Sequence, residues 1–130
     1  DADTFWRAVG LDPAVEDDYL SRVRLMPGVG DYLAYLRQAE LRVLCLSNDV
    51  AGGAAELRRG CELEQTLDVC VTSAELGVRK PDLRAFAALI ERSGFPAGSL
   101  LFIDDRAVNV AAARAARMQA RLFEGAFGAL

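Results

Sequence analysis

The apolar run Leu100-Leu101-Phe102-Ile103 ends in two adjacent carboxylates, Asp104 and Asp105. This junction constrains the fold more than any other part of the chain. Four apolar residues are too few for a helix and suit a buried strand. Two like charges placed directly after it raise each other's pKa and favour a cation between them. In open α/β sheets, ligands bind just beyond the carboxyl ends of the strands. Two further segments share that setting. Ser47-Asn48-Asp49 follows the apolar run 41–46, and Lys80-Pro81-Asp82 follows the run 69–71 and a loop. A hydroxyl, an ammonium and a diacid, each after its own strand, are suited to meet at one phosphate and one divalent cation.

The rest of the chain alternates between helix and strand patterns. Short helices are expected over 4–9 and from Asp12, as N-cap with Pro13 at the first helical position, to about Leu25. A third begins near Gly28, with Val29, Leu33 and Leu36 on one face. Strands are expected over 42–46, 68–71, 100–103 and 119–123. Between them fall helices over 51–59, closed by Gly60, over 82–93, with Phe86, Leu89 and Ile90 inward and Gly94 at its end, and over 108–118. This order predicts a three-layer, Rossmann-like α/β fold, a parallel sheet with crossover helices.

A chain of 130 residues is one domain's length and buries roughly two-thirds of its unfolded surface. Its formal net charge of -4 argues against nucleic acid as a partner. No apolar stretch approaches the ~18 residues of a membrane span, so no membrane partner is expected. The three cysteines, Cys45, Cys61 and Cys70, lack metal spacing. Cys45 and Cys70 sit in apolar runs and read as buried thiols in a reducing compartment, which points to the cytoplasm. The chain has no histidine. That excludes Ser-His-Asp triads, Cys-His pairs and histidine zinc sites, and leaves acid–base work to carboxylates, Lys or Tyr.

The segments LCLSND, GVRKPD and LFIDDRAVNVAAARAARM resemble the second, third and fourth motifs of the haloacid dehalogenase-like (HAD) hydrolase superfamily. The likeness covers about Leu25 to Phe123 and is closest to the branch with a small helical cap, which contains phosphatases. The resemblance implies that Ser47 hydrogen-bonds a transferring phosphoryl group and that Asn48 helps to hold it. It implies that Lys80 neutralises phosphate and nucleophile charge. It implies that Asp105 binds Mg2+ directly, with Asp104 and Asn109 supporting it from a second shell. Residues 1–24 then resemble the remnant of a helical cap, and 25–130 a Rossmann-like core lacking its first strand.

The departure concerns the family's first motif, a strand ending in Asp-x-Asp that carries the nucleophile. Asp1-Ala2-Asp3-Thr4 spells Asp-x-Asp without a preceding apolar run. It reads instead as a solvated start, with Asp3 or Thr4 capping a helix. In the family that strand lies between those carrying Ser47 and Asp105. Its removal would leave buried backbone groups unpaired, at about 1–3 kcal/mol each. The strand is therefore expected from elsewhere: a segment outside this sequence, a partner chain, or a rearranged sheet.

The expected function is a Mg-dependent phosphomonoesterase acting on a small phosphorylated metabolite through an aspartyl-phosphate. The alternative is a non-catalytic remnant that binds phosphate or a protein partner. A phosphorylation-receiver domain is a third reading, but too little chain follows Asp105 for it. The alternative duties are local. Asp104-Asp105 and Ser47 also suit turns or helix caps, Lys80 a solvated surface, and Arg79 and Arg106 solvent. Phe5, Trp6 and Tyr19 suit the lining of a substrate pocket between the helical segment and the core or, in the preferred reading, packing within the helical segment.

Overall fold

The computed structural model describes residues 2–49, 59–61, 63 and 65–130. Three helices come first: α1 (Ala2–Ala8), α2 (Val15–Arg22) and α3 (Val29–Gln38). Then follow β1 (Leu44–Ser47), β2 (Val69–Thr72), the short α4 (Ser73–Leu76), α5 (Leu83–Ser93), β3 (Leu101–Asp104), α6 (Ala107–Ala115) and β4 (Gln119–Leu122). Helix and parallel strand alternate as expected for an α/β crossover fold.

The strands form two parallel ladders. β1 pairs with β2, Leu44 opposite Val69 and Ser47 opposite Thr72. β3 pairs with β4, Leu101 opposite Gln119 and Asp104 opposite Leu122. Among the described residues the two ladders are not hydrogen-bonded to each other. One core nevertheless spans both. Leu46 and Val71 from the first ladder and Phe102 from the second pack with Ala85, Phe86 and Leu89 of α5. Phe86 is fully buried and meets Phe102 edge-to-face with ring centroids 5.2 Å apart. Such aromatic pairs contribute about 0.5–1.5 kcal/mol beyond the area they bury.

β1, β2 and β3 are displaced by one or two residues from their expected positions, and β4 begins where expected and ends one residue early. β1, β2 and β3 run on to include Ser47, Thr72 and Asp104. Hydrophobicity marks the buried part of a strand, whereas backbone pairing continues into polar residues at its end. At the start of β1, Asp68 takes over from the ladder. Its carboxylate accepts from the Val43 N–H at 2.7 Å, while its own N–H donates to the Val43 carbonyl. Arg37 and Arg42 complete an ionic cluster on the same carboxylate.

The helix limits differ for local reasons. The helix expected from Asp12 begins only at Val15, because the Asp12 carboxylate accepts the Ala14 N–H across a turn. It ends at Arg22 because Val23 turns extended. Asp3 lies in the first turn of α1 instead of capping it. α6 stops at Ala115, and Arg117 adopts a left-handed backbone with φ 67°. α5 follows its signals closely, with the Asp82 side chain accepting the Arg84 N–H at one end and Gly94 left-handed at the other. The helix expected over 51–59 falls almost wholly outside the described residues.

Candidate functional site

Three chain segments meet at the carboxyl ends of β1 and β3. Ser47 is the last paired residue of β1, and its hydroxyl makes no hydrogen bond among the described residues. Asn48 follows it, exposed, and its amide is already engaged. Nδ2 donates to the Lys80 carbonyl at 3.0 Å, and Oδ1 accepts the Lys80 N–H at 2.8 Å. This two-bond ring fixes the Lys80 main chain to the end of β1. The backbone N–H of Asn48 and the second Nδ2 hydrogen then remain for a phosphate.

Lys80 reaches from its loop to the end of β3. Its Nζ lies 2.8 Å from Asp104 Oδ2, and both side chains are largely buried. The ammonium also stands 5.6 Å from the centroid of the Phe102 ring, a favourable cation–π placement. Asp104 is held from its other oxygen too. Oδ1 accepts the Arg106 N–H and the Asn109 amide, each at 2.9 Å. Burial pushes its pKa up, but the hydrogen bonds from Lys80, the Arg106 backbone and Asn109 outweigh that, and the carboxyl is held below its usual range. Asp104 is ionised and fully engaged.

Asp105 is its opposite. It is exposed and has no hydrogen bond or ion pair among the described residues. Beside the pair, Asn109 is 2% exposed, and its Oδ1 is buried without a donor. Buried acceptors are rarely left so. An available carboxylate beside an orphaned acceptor fits a hydrated divalent cation. Mg2+ commonly takes one or two protein carboxylates, several waters and substrate phosphate oxygens. The described residues contain no cluster of three or more acidic, Cys or His ligands.

The structure brings Asn48, Lys80, Asp104 and Asn109 into one hydrogen-bonded group, with Ser47 and Asp105 adjoining it in sequence. Two residues of this region were not singled out from the sequence. Thr72 caps α4 in a reciprocal capping box with Glu75, and Thr72-Ser73-Ala74-Glu75 carries the usual signature for one. Ser73 Oγ then accepts the Asp49 N–H and donates to the Asp49 carbonyl, each at 3.0 Å. The exits of β1 and β2 are thereby tied together beneath the site.

A cavity of about 480 Å³ lies beside this group, between the α1–α2 pair and the β1 exit. Its helical wall is aromatic. Phe5 and Trp6 stack edge-to-face at 5.0 Å, and Trp6 and Tyr19 at 5.5 Å. These rings both pack on one another and line the cavity. Arg79 also lines it and is exposed, whereas Arg106 points its charge at no described partner.

Comparison with known proteins agrees with this arrangement. Residues 3–117 match the family described as haloacid dehalogenase-like hydrolase. Phosphatase MT3486 of Mycobacterium tuberculosis is 34% identical over 114 residues, covering 87% of this chain and 52% of that protein. Phosphoglycolate phosphatase of Nitrosospira multiformis is 30% identical over 117 residues, covering 89% and 52%. The chain thus spans about half the length of these curated relatives. The structure of L-2-haloacid dehalogenase from Xanthobacter autotrophicus superposes with a TM-score of 0.75 at 22% identity, over 91% of this chain and 51% of that one, a likeness of fold. The matched family spans most of the chain and includes all three site segments, so this chain belongs to the haloacid dehalogenase-like hydrolases.

Proposed function

We propose that the protein hydrolyses a small phosphomonoester, with Ser47, Asn48 and Lys80 holding the phosphoryl group and Asp105 holding Mg2+. The observation that carries this reading is the ring and ion pair that bind Lys80 to both strand ends, Asn48 on one side and Asp104 on the other. A fixed ammonium, next in the fold to segments whose Ser47 hydroxyl and Asp105 carboxylate have no partner among the described residues, suits an anion with a metal. The phosphatase names of the two curated relatives support the same class.

In this reading Lys80 neutralises phosphoryl oxygen charge from a preset position, so little reorganisation is needed as charge develops. The Ser47 hydroxyl and the Asn48 backbone N–H donate to the same oxygens. Asp104 keeps Lys80 in place, and Asn109 keeps Asp104 oriented. Asp105 would hold Mg2+ directly, with Asp104 and the orphaned Asn109 Oδ1 behind it. The bound ion supplies further neutralisation of the phosphoryl group. A carboxylate nucleophile would attack phosphorus, the alcohol would leave with a proton, and water would then cleave the aspartyl-phosphate. We assign that carboxylate to an additional strand between β1 and β3, supplied by another segment or a partner chain. The unpaired ladders are the observation that favours this placement.

Phosphate release from a panel of small phosphate esters by the complete protein, with the nucleophile strand present, measured with and without Mg2+, tests the reading. Mg-dependent turnover that falls by orders of magnitude in Lys80→Met and in Asp105→Asn is expected. Turnover indifferent to Mg2+ or to either substitution would overturn it. Tight binding of inorganic phosphate with no turnover of any ester would select the other reading, a phosphate-binding chain without catalysis.

A further inference from the structure

Cys45 and Cys70 stand directly opposite each other in the parallel ladder of β1 and β2. Register partners point to the same face of a ladder, and successive residues to opposite faces. Leu46 and Val71 pack with α5, so both thiols lie on the other face. They are half-buried thiols, not closed into the core as their apolar runs predicted. Partial exposure admits a small oxidant, and thiol oxidation follows exposure. Cys61 is half-buried as well but belongs to neither strand. Neighbouring strands are ~4.8 Å apart, within the Cα separations that a disulfide spans, roughly 4.4–6.8 Å. Two residues further on, and on the same face, Ser47 stands opposite Thr72. The thiol pair thus adjoins the last pair of the ladder, which carries the Ser47 hydroxyl of the proposed phosphate site.

We propose that Cys45 and Cys70 form an oxidation site, closing to a reversible disulfide that weakens phosphate binding at Ser47. The second half rests on the reading of Ser47, Asn48 and Lys80 as the phosphate site. A peroxide is the oxidant. One thiolate attacks a peroxide oxygen, the O–O bond breaks, a sulfenic acid forms, and the leaving hydroxide takes the thiol's proton as water. The second sulfur attacks the first, the S–O bond breaks, the S–S bond forms, and the departing hydroxide leaves with the second proton as water. Two thiols and one hydrogen peroxide thus give one disulfide and two waters. The side chains of register partners leave the sheet side by side, near the strand spacing, whereas a disulfide holds its Cβ atoms about 3.8 Å apart. Closure therefore draws β1 and β2 together by up to about 1 Å at this pair. Ser47 and the Asn48 ring to Lys80 follow directly on β1, and a misplacement of about 1 Å in a site can cost ~100-fold.

The test treats the full chain with hydrogen peroxide and maps its peptides by mass spectrometry before and after dithiothreitol. A cross-linked peptide joining Cys45 to Cys70, and separated again by dithiothreitol, is expected. Cys61→Ser should still form it. Cys45 and Cys70 found only as thiols or sulfinic acids, or bridged only to Cys61 or to another chain, would overturn the site. Inorganic phosphate is then titrated calorimetrically, with Mg2+ present, into the reduced and the oxidised chain. Oxidation should weaken phosphate binding at least about ten-fold, and dithiothreitol should restore it. Cys70→Ala should bind phosphate as reduced wild type does and should not respond to peroxide. Equal affinity in the two wild-type forms, or an equal loss in Cys70→Ala, would overturn the coupling and leave the disulfide standing. Failure of the reduced chain to bind phosphate would overturn the phosphate site itself, and the coupling with it. The wild-type map and titrations need no substitution, so they decide the matter even where a variant fails to fold.

Discussion

Lys80 Nζ lies 2.8 Å from Asp104 Oδ2 and joins two strand ladders that share no backbone pairing among the described residues. Lys80 is tied to the end of β1 through Asn48, and Asp104 is the last residue of β3. The ion pair is therefore both a structural link across the ladders and the means of aiming the ammonium.

The pair should behave as a unit when it is dissected. Asp104→Asn leaves a largely buried ammonium without its counter-charge, and breaking buried pairs costs about 3–5 kcal/mol. Lys80→Met should cost less, since Arg106 N–H and Asn109 still satisfy Asp104. The double variant Lys80→Met/Asp104→Asn should be more stable than the sum of the single losses, with a coupling of about 1–3 kcal/mol. Urea unfolding of the four proteins measures this, and additive losses would contradict a coupled pair.

Acid should remove part of the stability through Asp104. Its folded-state pKa is depressed, so its contribution is fully present above the ordinary carboxylate value of ~3.9. That contribution is lost as pH falls through the lower, folded-state value. Unfolding free energy measured from pH 7 to pH 2 should fall below about pH 4, and the fall should be shallower in Lys80→Met/Asp104→Asn. An Asp104 carboxyl resonance titrating at or above the ordinary value would contradict the geometry.

Asp105→Asn should leave the fold intact, because Asp105 is exposed and makes no contact to lose. It should abolish the stabilisation by Mg2+. A ligand at a hundred-fold its dissociation constant adds about 2.7 kcal/mol, so the wild-type thermal midpoint should rise with millimolar Mg2+. A rise of equal size in Asp105→Asn would move the metal elsewhere.

Asn48→Ala removes both hydrogen bonds to the Lys80 main chain. At about 0.5–1.5 kcal/mol per bond, stability should fall by roughly 1–3 kcal/mol. Asn48→Asp keeps the acceptor for the Lys80 N–H and loses the donor to its carbonyl, so it should fall between. If the ring positions Lys80, affinity for inorganic phosphate should decline in Asn48→Ala, and further in Asn48→Asp, whose carboxylate repels the anion. Unchanged phosphate affinity in Asn48→Ala would reduce the ring to a structural tie.

The parts of this protein that its sequence determined are those with local physical causes. Apolar runs of three or four residues mark β1 to β3, whereas β4 alternates polar Gln119 and Arg121 with apolar Ala120 and Leu122. Asp82 and Gly94 bound α5 because an N-cap acceptor and a left-handed glycine act on their own turn. The segments carrying Ser47 and Asp105 were legible because each stands at the end of its strand, and that of Lys80 because it follows β2 after a short helix and loop. The short α4 was legible as well, in the Thr72–Glu75 capping box, but its four residues bury no apolar stripe that periodicity would reveal.

What only the tertiary structure decided lies in pairs of residues far apart in the chain. Asp104 and Asp105 are chemically identical in the sequence. Lys80, 24 positions away, engages one and leaves the other exposed. Asn48 holds the main chain of Lys80 across 32 positions, a role no local pattern encodes. Nor does the sequence dictate which strands pair, because each apolar run suits any neighbour equally. α5 and the Phe86–Phe102 contact set the two ladders against one core. Charge commitment and strand pairing depend on distances, and distances exist only once the chain has folded.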